Sequence, residues 1–215
     1  MRYNPKTESL FNRDGSFKVI VGDYRRSEFA LVNSWVCSQK LDGTSGILHF
    51  ELFDVDGEKV LNYTIHGRTA KAQYNPDVLN QLHNIAVGSF HKVGESMINH
   101  DLTTMNFYGE VYGPRVQSGG RYRDDIGFAV FDIIVNDKVF LNPGSITEVC
   151  ERVGLDTVPL LGVMSTEEIV ELVRGGQQSV LTNGQDFIAE GVVAKSPFFD
   201  NVGRQVKFKL KASDF

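Results

Sequence analysis

Trp35-Val36-Cys37-Ser38-Gln39-Lys40-Leu41-Asp42-Gly43-Thr44-Ser45-Gly46 sets a lysine where an apolar strand breaks into a glycine turn. A Lys-x-Asp-Gly pattern arises by chance in about one chain in twenty of this length, given average residue usage. Alone it describes a surface turn with a solvated Lys40 and Asp42. Its weight comes from what accompanies it, in order, along the chain.

Downstream, residues 47–53 alternate, with Ile47, His49 and Glu51 opposite Leu48, Phe50 and Leu52, as a strand buried on one face requires. Asp56-Gly57 is a hairpin signal and residues 59–65 form the returning strand. Pro76 and Asp77 suit the first turn of a helix, and Val78, Leu79, Leu82, Ile85, Ala86, Phe90 and Val93 follow at helical spacing. Further strands are expected over 105–111, 128–135, 187–195 and 205–211. Ser145 with Glu148, and Ser165 with Glu168, make capping-box patterns that open two short helices, the second ending at Gly175-Gly176. The expectation is an α+β chain of mainly antiparallel sheets with a few helices. No repeat, low-complexity stretch or linker divides it, so residues 1–215 read as a single domain.

Composition narrows the class. Hydrophobic residues make up 41% of the 215, charged residues 23%, and fifteen Phe with seven Tyr exclude a disordered chain. The opening MRYNPKTESLFNRDG has no apolar run suited to a signal peptide. No stretch approaches the roughly 20 apolar residues of a membrane span. Cys37 and Cys150 form neither a disulfide framework nor a metal-ligand spacing, so the expectation is a cytoplasmic protein with reduced thiols. A net charge of −5 argues against a broad, sequence-independent nucleic-acid wrap. It leaves room for a local basic groove, because affinity follows the distribution of charge.

Several residues stand out chemically. At strand period two, Lys207, Lys209 and Lys211 share one face, opposite Val206, Phe208 and Leu210. Such a row is either a protective edge in water or a place for anions. Glu190 interrupts the apolar run Ala189–Val193 and needs a cation beside it, either a divalent metal or a lysine such as Lys195. Glu110 follows Gly109, and Arg68 stands in Gly67-Arg68-Thr69. A carboxylate can accept ribose hydroxyls, and a guanidinium can clamp phosphate. Phe128 and Phe131 point to opposite faces of their strand under strict alternation; Phe131 is taken as core, and the role of Asp132 stays open.

In sequence order, WVCSQKLDGTSG, GRTAK, FYGEVYGP, IGFAVFDIIV, VPLLG, IAEGVVAKS and VKFKLK resemble the motifs of covalent nucleotidyltransferases, which include DNA ligases, RNA ligases and mRNA capping enzymes. From about Trp35 to Lys211 the chain is most similar to the adenylation domain of the phage RNA ligase 2 family. The resemblance implies the nucleotidyltransferase fold of ATP-dependent ligases. It also implies an ATP-dependent RNA ligase that seals 5′-phosphate and 3′-hydroxyl ends through a lysyl-AMP and an adenylylated 5′ end, with ATP and Mg²⁺, or Mn²⁺, as cofactors. Lys40 would be the nucleophile. Its amine must be neutral to attack, and an ordinary lysine pKa is about 10.4, so a neighbouring cation or metal ion is expected to disfavour the ammonium. The resemblance assigns Lys209, Lys211 and Arg68 to the nucleotide phosphates, Glu110 to the ribose, Phe128 to stacking on adenine and Glu190 to the metal. Ser38 stands where DNA ligases carry an adenine-reading Glu, and the Gln39 amide is expected to read adenine in its place.

The match departs at Asp42, where RNA ligase 2 relatives carry His, and at Ser45, where they carry Asn. Asp at the first position is common in DNA ligases and capping enzymes. A minimal DNA ligase and a non-catalytic nucleotide- or RNA-binding module therefore remain alternatives, with a guanylyltransferase behind them. No OB-fold or accessory domain is expected after Lys211. The partner is then RNA, as single strands or a nicked duplex, gripped weakly or with the help of an accessory protein. The expected setting is RNA repair in a bacterial or phage-infected cell.

Overall fold

The computed structural model describes residues 6–69, 72–200 and 205–215, so the last two residues of the GRTAK segment lie outside the described part. The first half of the chain carries β1 (Glu8–Ser9), β2 (Phe11–Arg13), β3 (Val19–Tyr24), β4 (Trp35–Lys40), β5 (Thr44–Val55) and β6 (Glu58–Gly67). Helix α1 (Pro76–Asn99), β7 (Thr104–Tyr112), β8 (Gly127–Val135), β9 (Val139–Phe140) and α2 (Pro143–Val153) follow. The chain then forms β10 (Asp156–Thr157), β11 (Leu160–Met164), α3 (Thr166–Arg174), β12 (Gly191–Phe199) and β13 (Gln205–Lys211). This is the α+β chain of mainly antiparallel sheets read from the sequence. Among the described residues no helix is long and apolar enough to cross a membrane. The fold gathers into two compact units, residues 43–158 and residues 5–42 with 159–215.

The first unit is built on a six-stranded sheet in the order β10-β8-β7-β5-β6, with β9 also paired to β8. Asp56 and Gly57, with φ of 53° and 86°, make the two-residue turn between β5 and β6, as the sequence signalled. One sheet face is buried with α1 and α2 in a core that includes Phe50, Leu82, Phe107, Phe128, Ile133 and Cys150. Asn75 caps α1 by accepting the Asp77 N–H at 2.9 Å, with Pro76 in the first turn. Helix α2 starts earlier than its capping-box pattern implied. Asn142 accepts the Ser145 N–H and Pro143 fills the first turn, so the cap is the Asn142 side chain and not the Ser145 hydroxyl.

The second unit holds a five-stranded sheet, β1-β13-β12-β4-β11, antiparallel except for β1 against β13, and the β2–β3 ribbon. Trp35, Cys37, Ile169, Val192, Phe208 and Leu210 form its core. Helix α3 opens with the capping box read from the sequence, Ser165 and Glu168 each binding the other's backbone N–H. The strand expected over 187–195 runs over Gly191–Phe199, because the preceding segment makes only an isolated bridge, Gln178 to Ile188. Strands β1, β2, β3, β10 and β11 carried no alternation long enough to read. Both cysteines are buried and unbridged, and burial pushes each thiol up to about 12, which makes them inert packing residues.

Candidate functional site

Three adjacent strands of the second unit stop at one level. Lys40 is the last residue of β4, Gly191 the first of β12 and Lys211 the last of β13, and Gly191 is the register partner of both lysines. Glu190, one residue before β12, therefore stands between them. Its Oε2 lies 2.6 Å from Lys40 Nζ and its Oε1 lies 2.6 Å from Lys211 Nζ. The three side chains are 19%, 16% and 31% exposed, so the cluster is shielded yet reachable. Glycine at 191 is required: φ is +153°, and a Cβ would lie 2.0 Å from Leu210 O. The cation that the sequence demanded beside Glu190 is thus Lys40 and Lys211 together.

The alternation of β13 is as expected. Phe208 and Leu210 are fully buried, while Lys207, Lys209 and Lys211 take the other face. Burial disfavours the Lys209 ammonium and lowers its pKa; the nearby charges of Lys40, Lys6 and Lys211 act in the same direction. An anion placed here would relieve that unfavourable charge.

Gln39, neighbour of Lys40 on β4, points the opposite way and is 1% exposed. Its Nε2 donates to Ser179 Oγ at 2.8 Å and its Oε1 accepts the Val180 N–H at 2.7 Å. Both ends of the amide are engaged with the segment after α3.

In the first unit, Glu110 on β7 pairs with Ser45 on β5 and Ala129 on β8. The adjacent Val111 and its partner Phe128 belong to the core, so Glu110 faces the other way. Phe128 is 2% exposed. Its ring is packed so closely that a Cβ on Gly109 would lie 2.6 Å from it. The Phe128 ring is thus buried on the face away from Glu110. The same strand carries a bulge. The β7–β8 register shifts between Tyr108 and Gly109, whose partners are Asp132 and Val130, leaving Phe131 as the extra residue. Phe131, opposite Phe128 as alternation requires, joins Ile47, Tyr108 and Ile134 on the Glu110 face, half-buried instead of in the main core. The sequence held one hint: under strict alternation from Phe128, the carboxylate of Asp132 would point into the core.

Tyr74, a residue with no sequence signal, donates to Ser45 O at 3.0 Å or His66 O at 3.1 Å. Burial, with help from the Glu110 charge, pushes its phenol up to about 12. Gly43, the glycine of Lys-x-Asp-Gly, would carry a Cβ 2.3 Å from Val111 O and 2.9 Å from Glu110 Cγ, so only glycine lets the β7 backbone come so close. Arg68 is exposed just past the end of β6.

Among the described residues no cluster of three or more His, Cys, Asp or Glu could hold a metal ion by itself. A lone carboxylate suits Mg²⁺, which is commonly bound by one or two carboxylates together with substrate phosphates. Glu190 fits that pattern, and its two oxygens are held by ammonium groups that phosphates would also attract.

A family model described as RNA ligase matches residues 33–211. No curated protein matches. Among solved structures, a Naegleria gruberi RNA ligase variant with ATP and Mn is 16% identical, with a TM-score of 0.58 over 96% of this chain and 59% of that one. The Naegleria gruberi RNA ligase with PPi is 17% identical, with a TM-score of 0.59 over 98% and 62%. An archaeal ATP-dependent RNA ligase is 19% identical, with a TM-score of 0.57 over 100% and 49%. At these identities the likeness is one of fold. The chain spans about half to three-fifths of the length of these structures.

Proposed function

The chain belongs to the RNA ligase family, and from that premise we propose that it is an ATP-dependent RNA ligase that carries AMP on Lys40. The observation that carries the proposal is the Lys40–Glu190–Lys211 cluster, an amine and a second cation held 2.6 Å from the two oxygens of one carboxylate. Lys40 Nζ, having lost its proton, attacks the α-phosphorus of ATP. A nitrogen–phosphorus bond forms, the bond to the pyrophosphate oxygen breaks, and pyrophosphate leaves. AMP then passes to a 5′-phosphate, and a 3′-hydroxyl displaces it to seal the strand.

Lys209 and Lys211 are proposed to neutralise phosphate charge, which is electrostatic positioning of the kind that dominates phosphoryl transfer. Glu190 would hold a divalent cation, Mg²⁺ or Mn²⁺, which supplies charge neutralisation at the phosphates when bound. Glu110 is assigned to the ribose, Arg68 to the phosphates and Phe131 to the base. Gln39 is assigned a structural role. RNA ends, as single strands or nicked duplex, are the proposed substrate, with an accessory protein supplying part of the grip. Repair of RNA in the cytoplasm of a bacterial or phage-infected cell is the proposed setting and rests on the resemblance of the motifs alone.

Incubation with α-labelled ATP tests the reading. Wild type takes up covalent label, Lys40→Ala takes up none, and Lys59→Ala labels normally. Full labelling of Lys40→Ala removes the mechanism. A second comparison, of nicked DNA against RNA ends, addresses the DNA ligase alternative kept open by Asp42. Equal or better sealing of all-DNA nicks overturns the choice of RNA.

A further inference from the structure

The strand that carries Lys209 and Lys211 ends at Lys211, where the sheet ladder can no longer fix the backbone. Beyond it a short turn, Ala212–Asp214, folds back. Asp214 is 1% exposed, and its Oδ2 accepts the Lys211 N–H at 2.9 Å. Its Oδ1 is paired with the Arg13 guanidinium from β2. In the same turn the Ala212 N–H donates to Glu190 O at 3.0 Å. Lys18 Nζ donates to Ser213 O at 3.1 Å and Phe215 O at 2.8 Å, and Arg174 lies 4.9 Å over the Phe215 ring. The turn after Lys211 is thus held from three other places in the second unit, and it binds the backbones of both Lys211 and Glu190.

We propose that Asp214, backed by Arg13, is a positioning residue that fixes Lys211 at the distance from Glu190 and Lys40 needed for adenylation; this rests on the function proposed above. A buried carboxylate is costly unless it is fully paired. Here one oxygen meets a guanidinium and the other a backbone N–H, so both partners are drawn into one geometry. Asp214 bonds to the Lys211 backbone N–H and to Arg13, and acts on the site through that backbone. The Lys211 amine that it positions stands 2.6 Å from Glu190, where a displacement of about 1 Å can cost a hundredfold in rate.

The test is the rate of lysyl-AMP formation at saturating ATP, well below the unfolding temperature, for Asp214→Ala, Lys211→Ala and the double variant. Asp214→Ala is expected to slow adenylation at least tenfold, and to add nothing to Lys211→Ala, because its effect runs through that lysine. Arg13→Gln, which leaves Asp214 and its bond to the Lys211 N–H in place, is expected to fall between wild type and Asp214→Ala, and serves if Asp214→Ala does not fold. Additive losses in the double variant, or wild-type rates in both single Asp214 and Arg13 variants, overturn the positioning role. Absence of label in the wild type instead overturns the ligase reading, so the two failures are distinguishable.

Discussion

Lys40 Nζ lies 2.6 Å from Glu190 Oε2, across 150 residues of sequence, and both side chains are less than one-fifth exposed. Lys211 takes the other oxygen of the same carboxylate. Two ammonium groups are held beside one another by a single negative charge.

Glu190→Gln keeps the shape and removes that charge. It leaves Lys40 and Lys211 facing each other with a neutral amide between them. The expected loss of stability is about 2 kcal/mol, the scale of a hydrogen bond to a charged group, measurable by urea denaturation. Covalent labelling from ATP is expected to fall roughly tenfold or more. Unchanged stability together with unchanged labelling would show that the bridge matters neither to fold nor to chemistry.

Lys209 carries an ammonium that folding disfavours, through burial first and through Lys40, Lys6 and Lys211 next. At low pH folded and unfolded chains both hold that proton, and the cost is present in full. As pH rises toward the ordinary lysine value of 10.5, the folded chain sheds the proton first and the cost fades. Lys209→Met is therefore expected to be more stable than wild type at pH 7, with the advantage shrinking as pH rises toward 10.5, while adenylation is weakened. Denaturation at both pH values checks this; a constant or widening advantage contradicts it.

Phe128 and Phe131 lie on opposite faces of β8, Phe128 in the core and Phe131 half-buried on the Glu110 face. Phe128→Ala is expected to cost about 4 kcal/mol, as for a large ring removed from a core. Phe131→Ala is expected to cost less and to raise the KM for ATP in self-adenylation. If the KM rises with Phe128→Leu and not with Phe131→Ala, the base assignment returns to Phe128.

Tyr74 holds its phenol proton up to about 12, against an ordinary 10.0. Burial that favours the neutral phenol therefore gives a contribution present in full below pH 10 and lost as pH rises through about 12. Tyr74→Phe is expected to lose about 1 kcal/mol at neutral pH, and the gap to wild type is expected to close between pH 10 and 12. Chemical denaturation across that range measures it, and a gap independent of pH excludes the buried phenol as its source.

The residues proposed for phosphate chemistry were legible because their types and local periods are short-range properties. Lys40 before a glycine turn, Glu190 in an apolar run and alternate lysines in 205–211 could all be read along the chain. So could the hairpin at Asp56-Gly57, α1 from its helical spacing, and the capping box of α3, each a matter of neighbours within a few residues. What the linear order could not decide depends on contacts between distant segments. Which cations answer Glu190 is a question of strand register, and the register made them Lys40 and Lys211 instead of Lys195. Gln39 became a structural anchor because Ser179 and Val180 reached its amide. Phe128 and Phe131 keep the opposite faces that alternation requires, but which face is the core was decided by the helices packed on the sheet, and the bulge at Phe131 reverses the period only from Asp132 onward. Asp214 had no pattern at all, since its meaning lies in Arg13 and Lys211, which folding alone brings to it.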